Sequence, residues 1–257
     1  MAVRWNKQTI DAGGVRLAVR QAGARGTPVV LVHGLGTIQR SWDRLAPLLA
    51  RDLRVVSYDQ RGHGASQAAT DYSLDAFTAD LRAVVDTLEL ERPVLVGHSL
   101  GVLLAVEVAA TRPSSAGVVG VDGGLPLTRP PQATDQQALQ AAMARPLHRL
   151  LGRLATALGL GISLSTEELG QVMQAAEARE PALDQLYARL TCPALLVLAA
   201  KADPVPWGEA LQAAKLEAAR RFQQIHPQVE QVWLDCGHAI PLQRPRELAT
   251  HIVRLAG

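Results

Sequence analysis

"VLVGHSLGVLLA", residues 94–105, decides how the rest of the chain is read. The apolar run Val94-Leu95-Val96 stops at Gly97-His98-Ser99-Leu100-Gly101 and then resumes with a helix-like pattern. A buried strand has no use for a hydroxyl between two glycines. A sharp strand-to-helix turn does, because small flanking residues let the backbone close where a Cβ would obstruct it. The central Oγ then projects from the helix N-terminus.

Outward from this turn, apolar runs recur at intervals: "PVVLVH" (28–33), "LRVVSYD" (53–59), "PVLVGH" (93–98), "AGVVGVD" (116–122), "PALLVLAA" (193–200) and "VEQVWLD" (229–235). Continuous Val and Leu runs suit strands covered on both faces. Between them lie helical patterns. "SLDAFTADLRAVVDTLEL" sets Leu74, Phe77, Leu81, Val84, Val85 and Leu88 at spacings of three and four, the stripe of an amphipathic helix. Alternation of strand and helix predicts a parallel sheet with right-handed crossovers. Near the N-terminus, "VRWNKQTI" and "VRLAVRQAG" flank "DAGG", which predicts an antiparallel hairpin. The expected fold is α/β: a mostly parallel eight-stranded sheet with an N-terminal antiparallel hairpin, helices on both faces and a helical insertion.

The insertion is where the rhythm breaks. Between Asp122 and Pro193 no strand-like run occurs, and "QQALQAAMARPLHRLLGRLATALGLG" and "STEELGQVMQAAEARE" read as helices. The expected organisation is a core of residues 1–124 and 189–257 with a helical cap over 125–188.

Composition narrows the function classes. The chain has 257 residues, 48% apolar and 19% charged, a foldable globular mixture. Its net charge of +2, with no Lys/Arg block, gives no support to a nucleic-acid or anionic-membrane partner. Cys192 and Cys236 stand apart, without a His/Cys cluster, so buried thiols are expected rather than a zinc site. "MAVRWNKQTI" lacks the apolar core of a signal peptide, and no apolar stretch reaches the length of a membrane helix. A cytoplasmic enzyme or binding protein, with no metal and no cofactor, is the expectation.

In an open parallel sheet, ligands gather beyond the carboxyl ends of the strands. Gly97-His98-Ser99-Leu100-Gly101, placed between a strand and a helix, resembles the nucleophile elbow of α/β-hydrolases, and the chain as a whole resembles a capped member of that family. A serine needs a base, and the base needs an orienting group. "DCGHAIPLQRP" puts His238 after the last strand, and "AAKADPVP" puts Asp203 after the one before it. The order Ser99, Asp203, His238 is the order this family uses, so these three are the expected triad. Asp122 also follows a strand and is the alternative acid. The oxyanion-hole donors implied by the resemblance are the backbone N–H groups of Leu100, after the nucleophile, and of Leu35 in His33-Gly34-Leu35-Gly36.

"YDQRGHGAS" (58–66) is similar to a loop common in capped members, and Asp59, Arg61 and Ser66 are read as shaping it. His33, His63 and His98 are read as packed or hydrogen-bonded, with the His98 ring leaving the elbow on its far side. His148, His226 and His251 are read as surface residues. Leu125, Leu127, Met143, Leu147 and Leu151 are candidates for an apolar pocket wall, implying a small, largely apolar substrate.

The resemblance implies a serine hydrolase for an ester, lactone or thioester. Epoxide hydrolases and haloalkane dehalogenases carry Asp at the elbow, where this chain has Ser99. Carbon–carbon bond hydrolysis, acyl transfer or ring closure would use the same triad. A small-molecule receptor that retains the triad is the alternative outside catalysis.

Overall fold

The computed structural model describes residues 4–127, 161–206 and 208–257. Their centre is an eight-stranded sheet of β1 (Asn6–Ala12), β2 (Val15–Ala22), β3 (Pro28–Val32), β4 (Arg54–Tyr58), β5 (Val94–His98), β6 (Gly117–Val121), β7 (Ala194–Ala199) and β8 (Glu230–Leu234). The spatial order is β1-β2-β4-β3-β5-β6-β7-β8. β1 pairs antiparallel with β2, and β2 antiparallel with β4. Every pairing from β4 through β8 is parallel. The hairpin turns at Gly13 and Gly14, both at positive φ, and Asp11 Oδ1 accepts the Gly14 N–H at 3.0 Å. The expected sheet and hairpin are both present.

The apolar runs of β5, β6 and β7 are buried along their whole length, as strands covered on both faces must be. One face carries α2 (Leu74–Thr87), α3 (Leu100–Thr111), α4 (Thr166–Arg179), α5 (Leu183–Ala188) and α6 (Gly208–Ile225). The other carries α1 (Ala46–Leu49) and α8 (Pro245–Ala256), with the short α7 (Ile240–Gln243) leading into α8. α2 starts because the Ser73 hydroxyl accepts the Ala76 N–H, and it buries Leu74, Phe77, Leu81, Val84 and Val85. Each of those side chains is worth about 1.5–3 kcal/mol of burial.

α3 is different. It is apolar on all sides and buried from Gly101 to Ala110, so it forms the centre of its layer. Its one charge, Glu107, accepts the Thr78 hydroxyl at 2.7 Å and Arg179 Nη1 at 3.0 Å. That pair ties the end of α4 to the core. α4 itself begins in a reciprocal cap, with Ser165 Oγ accepting the Glu168 N–H and Glu168 accepting the Ser165 N–H. No described helix is long and apolar enough to cross a membrane.

Candidate active site

The turn between β5 and α3 holds Ser99 at φ 53°, ψ −121°, a left-handed conformation that a non-glycine residue adopts only when its surroundings impose it. The surroundings do so here. The Ser99 N–H donates to the Val121 carbonyl at 3.0 Å, and the Val102 N–H donates back to the Ser99 carbonyl at 3.0 Å. The flanking glycines are required by close approach. A Cβ at Gly97 would collide with the Gly101 carbonyl, and one at Gly101 with the Val32 carbonyl. A Cβ at Gly34 would stand 3.1 Å from that of Ser99, so the turn after β3 lies directly beside the serine.

His238 stands on the loop after β8. Its Nδ1 lies 2.7 Å from Asp122 Oδ2, and the carboxylate fixes the proton on Nδ1 and leaves Nε2 as the basic nitrogen. The order of motifs along the chain favours Asp203 as the orienting acid, but the structure places it elsewhere. Asp203 Oδ1 accepts the backbone N–H of His238 at 3.0 Å, while its own carbonyl is taken by the turn at Val205. The reason is local. Asp122 follows β6 directly at φ 45°, which turns its side chain back across the end of β7, where Oδ1 accepts the Ala199 N–H at 2.8 Å. Asp203 lies under the histidine's backbone rather than beside its ring. The alternative residue, Asp122, is therefore the imidazole's partner.

Asp122 is almost completely buried, with a side chain 1% exposed. Burial pushes its carboxyl up, yet the His238 hydrogen bond, the Lys215 ammonium and the Ala199 amide outweigh that and hold it below the ordinary range. Lys215 Nζ sits 2.9 Å from Oδ1 and 3.1 Å from Oδ2. Sequence reasoning missed Lys215, since one lysine on α6 carries no motif.

His98 departs from its expected direction. Its ring does not leave the elbow on the far side but packs on the His238 ring, centroids 4.6 Å apart, with Nε2 donating to the His238 carbonyl at 3.0 Å. Trp42 meets it edge-on from behind. Burial and the neighbouring His238 push the His98 imidazole down to about 4, so it stays neutral and serves as a donor.

Two more buried histidines shape the turn that carries Leu35. His33 Nδ1 donates to the Gly34 carbonyl at 2.9 Å while Nε2 accepts the Gln60 N–H at 3.0 Å. Burial lowers His33 to about 3, and a neutral ring is what both bonds require. The Gly34 carbonyl also accepts the Thr37 hydroxyl, and the Gly36 N–H donates to His63 Nε2. Leu35 lies between these anchors and Leu100 opens α3, where a helix leaves its first amides without intrahelical partners.

The loop over residues 59–66 is held as its charges suggested. Asp59 accepts the N–H groups of Gln39 and Ala65, and the Ser66 hydroxyl donates to the Asp59 carbonyl and accepts the Ala18 N–H. Arg61 forms a two-pronged pair with Asp80 on α2.

Leu125 is buried, and Leu127 packs against the same apolar cluster as α3 and α5. The Leu127 N–H donates to Glu180, whose carboxyl burial raises to about 7. Met143, Leu147 and Leu151 lie outside the described residues, as does His148. His226, expected at the surface, is buried against Tyr187 and Phe222 with Nε2 3.2 Å from Asp184 Oδ1. The helical periodicity of α6 ends one residue before it, so no pattern marked it as core.

A model of the alpha/beta hydrolase family matches residues 29–251. An uncharacterized protein of Mycobacterium tuberculosis is 31% identical over 169 residues, covering 61% of this chain and 48% of that protein. The 2-hydroxy-6-oxo-2,4-heptadienoate hydrolase of Pseudomonas putida is 38% identical over 107 residues, 40% of this chain and 38% of the relative. The matches thus span less than half the length of these curated relatives. The enol-lactonase of Burkholderia xenovorans LB400 superposes with a TM-score of 0.74, covering 96% of this chain and 99% of that one at 22% identity, a likeness of fold. With the family model running from β3 into α8, the chain belongs to the alpha/beta hydrolase family.

Proposed function

We propose that the chain is a serine hydrolase that cleaves an ester, lactone or thioester of a small, largely apolar compound through an acyl-enzyme on Ser99. The observation that carries this reading is the 2.7 Å contact between His238 Nδ1 and Asp122 Oδ2. A histidine whose Nδ1 proton is committed to a buried carboxylate keeps Nε2 free to act as a base.

In the proposed reaction, His238 Nε2 takes the Ser99 hydroxyl proton as Oγ attacks the carbonyl carbon. Asp122 stabilises the imidazolium that forms, and the N–H groups of Leu35 and Leu100 receive the charge on the carbonyl oxygen. Collapse of the tetrahedral intermediate expels the alcohol or thiol, which takes its proton from His238. Water, deprotonated by the same nitrogen, then releases the acid and restores Ser99. The scheme needs no cofactor. Serine rather than aspartate at the elbow supports an acyl intermediate over an alkyl one.

The test is labelling with a fluorophosphonate probe beside turnover of p-nitrophenyl acetate, butyrate and octanoate. Labelling and turnover that both vanish in Ser99→Ala are expected. Labelling that survives Ser99→Ala, or its complete absence from the parent protein together with no turnover, overturns the proposal.

A further inference from the structure

The carboxylate that faces His238 also faces a cation. Lys215 projects from α6 with its side chain only 14% exposed and spans both oxygens of Asp122, at 2.9 and 3.1 Å. One carboxylate therefore serves three donors from three elements: the Ala199 amide at the end of β7, the Lys215 ammonium on α6 and the His238 imidazole after β8. A buried ammonium beside the orienting acid is not neutral toward the base. It cancels part of the negative potential that would favour a protonated imidazole.

We propose that Lys215 is a positioning residue for the base: it locks the Asp122 carboxylate in place against His238 and offsets the charge that this carboxylate presents to the imidazole. This rests on the reading of Ser99, His238 and Asp122 as the reacting set. The other groups facing His238 and Asp122 do not duplicate the role. His98 packs on the His238 ring as a neutral donor, Asp203 holds the His238 backbone amide, and Cys236 near Asp122 is a thiol that burial keeps protonated. Lys215 is the cation among the described groups in contact with Asp122.

Removing the positive charge strengthens the pull of Asp122 on a proton at His238, so the imidazole stays protonated to higher pH. The acid limb of kcat/KM must then move upward. Lys215→Gln keeps a hydrogen-bond donor and discards the charge, whereas Lys215→Arg keeps both. The readout is the pH dependence of kcat/KM for p-nitrophenyl butyrate and of the fluorophosphonate labelling rate, from pH 5 to 9. The expected result is an acid limb about one pH unit higher in Lys215→Gln and restored in Lys215→Arg. The position of the limb is read whatever the plateau height, so partial loss of active protein does not mask it.

A Lys215→Gln limb coinciding with the parent's overturns the inference, because a purely structural lysine would lower the plateau without moving the limb. Should Lys215→Gln fail to fold, Lys215→Met carries the same reading, and loss of folding in both overturns it. Asp122→Asn separates this failure from that of the underlying reading. If Asp122→Asn abolishes activity while the limb of Lys215→Gln is unmoved, only the role of Lys215 falls. If Asp122→Asn is near parental, the proposed reacting set falls with it.

Discussion

The Gly36 amide donates to Nε2 of His63 across 3.1 Å, so a buried imidazole holds the turn on which Leu35 sits. The bond exists only while that nitrogen is unprotonated. His63, His33 and His98 are all displaced downward by burial, His33 to about 3 and His98 to about 4. A histidine with a folded value below its unfolded value of about 6.5 contributes stability that is present above that pH and lost as pH falls toward the folded value. Glu180, raised to about 7, acts in the opposite sense between its unfolded value and neutrality and offsets one of the three. Around pH 5.5 His33 and His98, less Glu180, leave the unfolded chain a net excess of about one proton, a slope of roughly 1.4 kcal/mol per pH unit, and His63 adds to it in the same direction. Urea midpoints measured at pH 7.5, 6.5 and 5.5 are expected to fall steadily below 6.5. A midpoint that is flat over that range contradicts neutral burial of these rings.

Asp122 and Asp203 both touch His238, one at the ring and one at the backbone. Asp122→Asn presents an amide to Nδ1 and disturbs the tautomer the base requires, and a loss of about 10³–10⁴ in kcat is expected. Asp203→Asn retains an oxygen that can accept the His238 N–H, so a loss of about tenfold or less is expected. Steady-state kinetics on one ester, with circular dichroism to confirm folding, ranks the two. The reverse ranking returns the acid to the loop after β7.

How much of this was legible beforehand follows from the range of each signal. The sheet was, because covered strands must be continuous apolar runs and the hairpin had Gly13 and Gly14 at its turn. The elbow was, because Gly97 and Gly101 are demanded by backbone contacts only a few residues away in sequence or one strand away in space. Asp122 against Asp203 was not: both follow strands, and what separates them is the positive φ at Asp122 and the direction of a side chain. Lys215, the burial of His226 and the direction of the His98 ring escape the sequence for a related reason. Each depends on a partner distant in sequence (Asp122, Asp184 and His238), and no local periodicity carries that information.

The glycines of the elbow make a quantitative contrast with those of the hairpin. A Cβ at Gly97 or Gly101 meets backbone carbonyls, which cannot rotate away, whereas one at Gly14 meets nothing within 4 Å and bears only its φ of +90°. Gly14→Ala is expected to cost about 1–2 kcal/mol. Gly97→Ala and Gly101→Ala are expected to cost more than about 3 kcal/mol, or to prevent accumulation of soluble protein. Thermal unfolding of the three variants decides it, and comparable melting temperatures would mean that β5 and α3 can separate without penalty.

The ion pair of Arg61 with Asp80 offers a different kind of test, because its value lies in what remains when one half is removed. Nε and Nη2 of Arg61 reach the two carboxylate oxygens at 2.8 and 2.7 Å, Nη1 reaches the Asp71 carbonyl at 2.9 Å, and the two side chains are 8% and 1% exposed. Burial pushes the Asp80 carboxyl up despite the guanidinium, which indicates how much hydration both groups have surrendered. Asp80→Leu leaves the guanidinium buried without its counter-charge and is expected to cost about 3–5 kcal/mol. The double variant Arg61→Met, Asp80→Leu removes both charges and keeps apolar volume, so its loss in urea denaturation is expected to be smaller than that of the single variant. If the double variant is instead the less stable of the two, the pair contributes net stability to the 59–66 loop, and its desolvation is more than repaid by the two-pronged geometry.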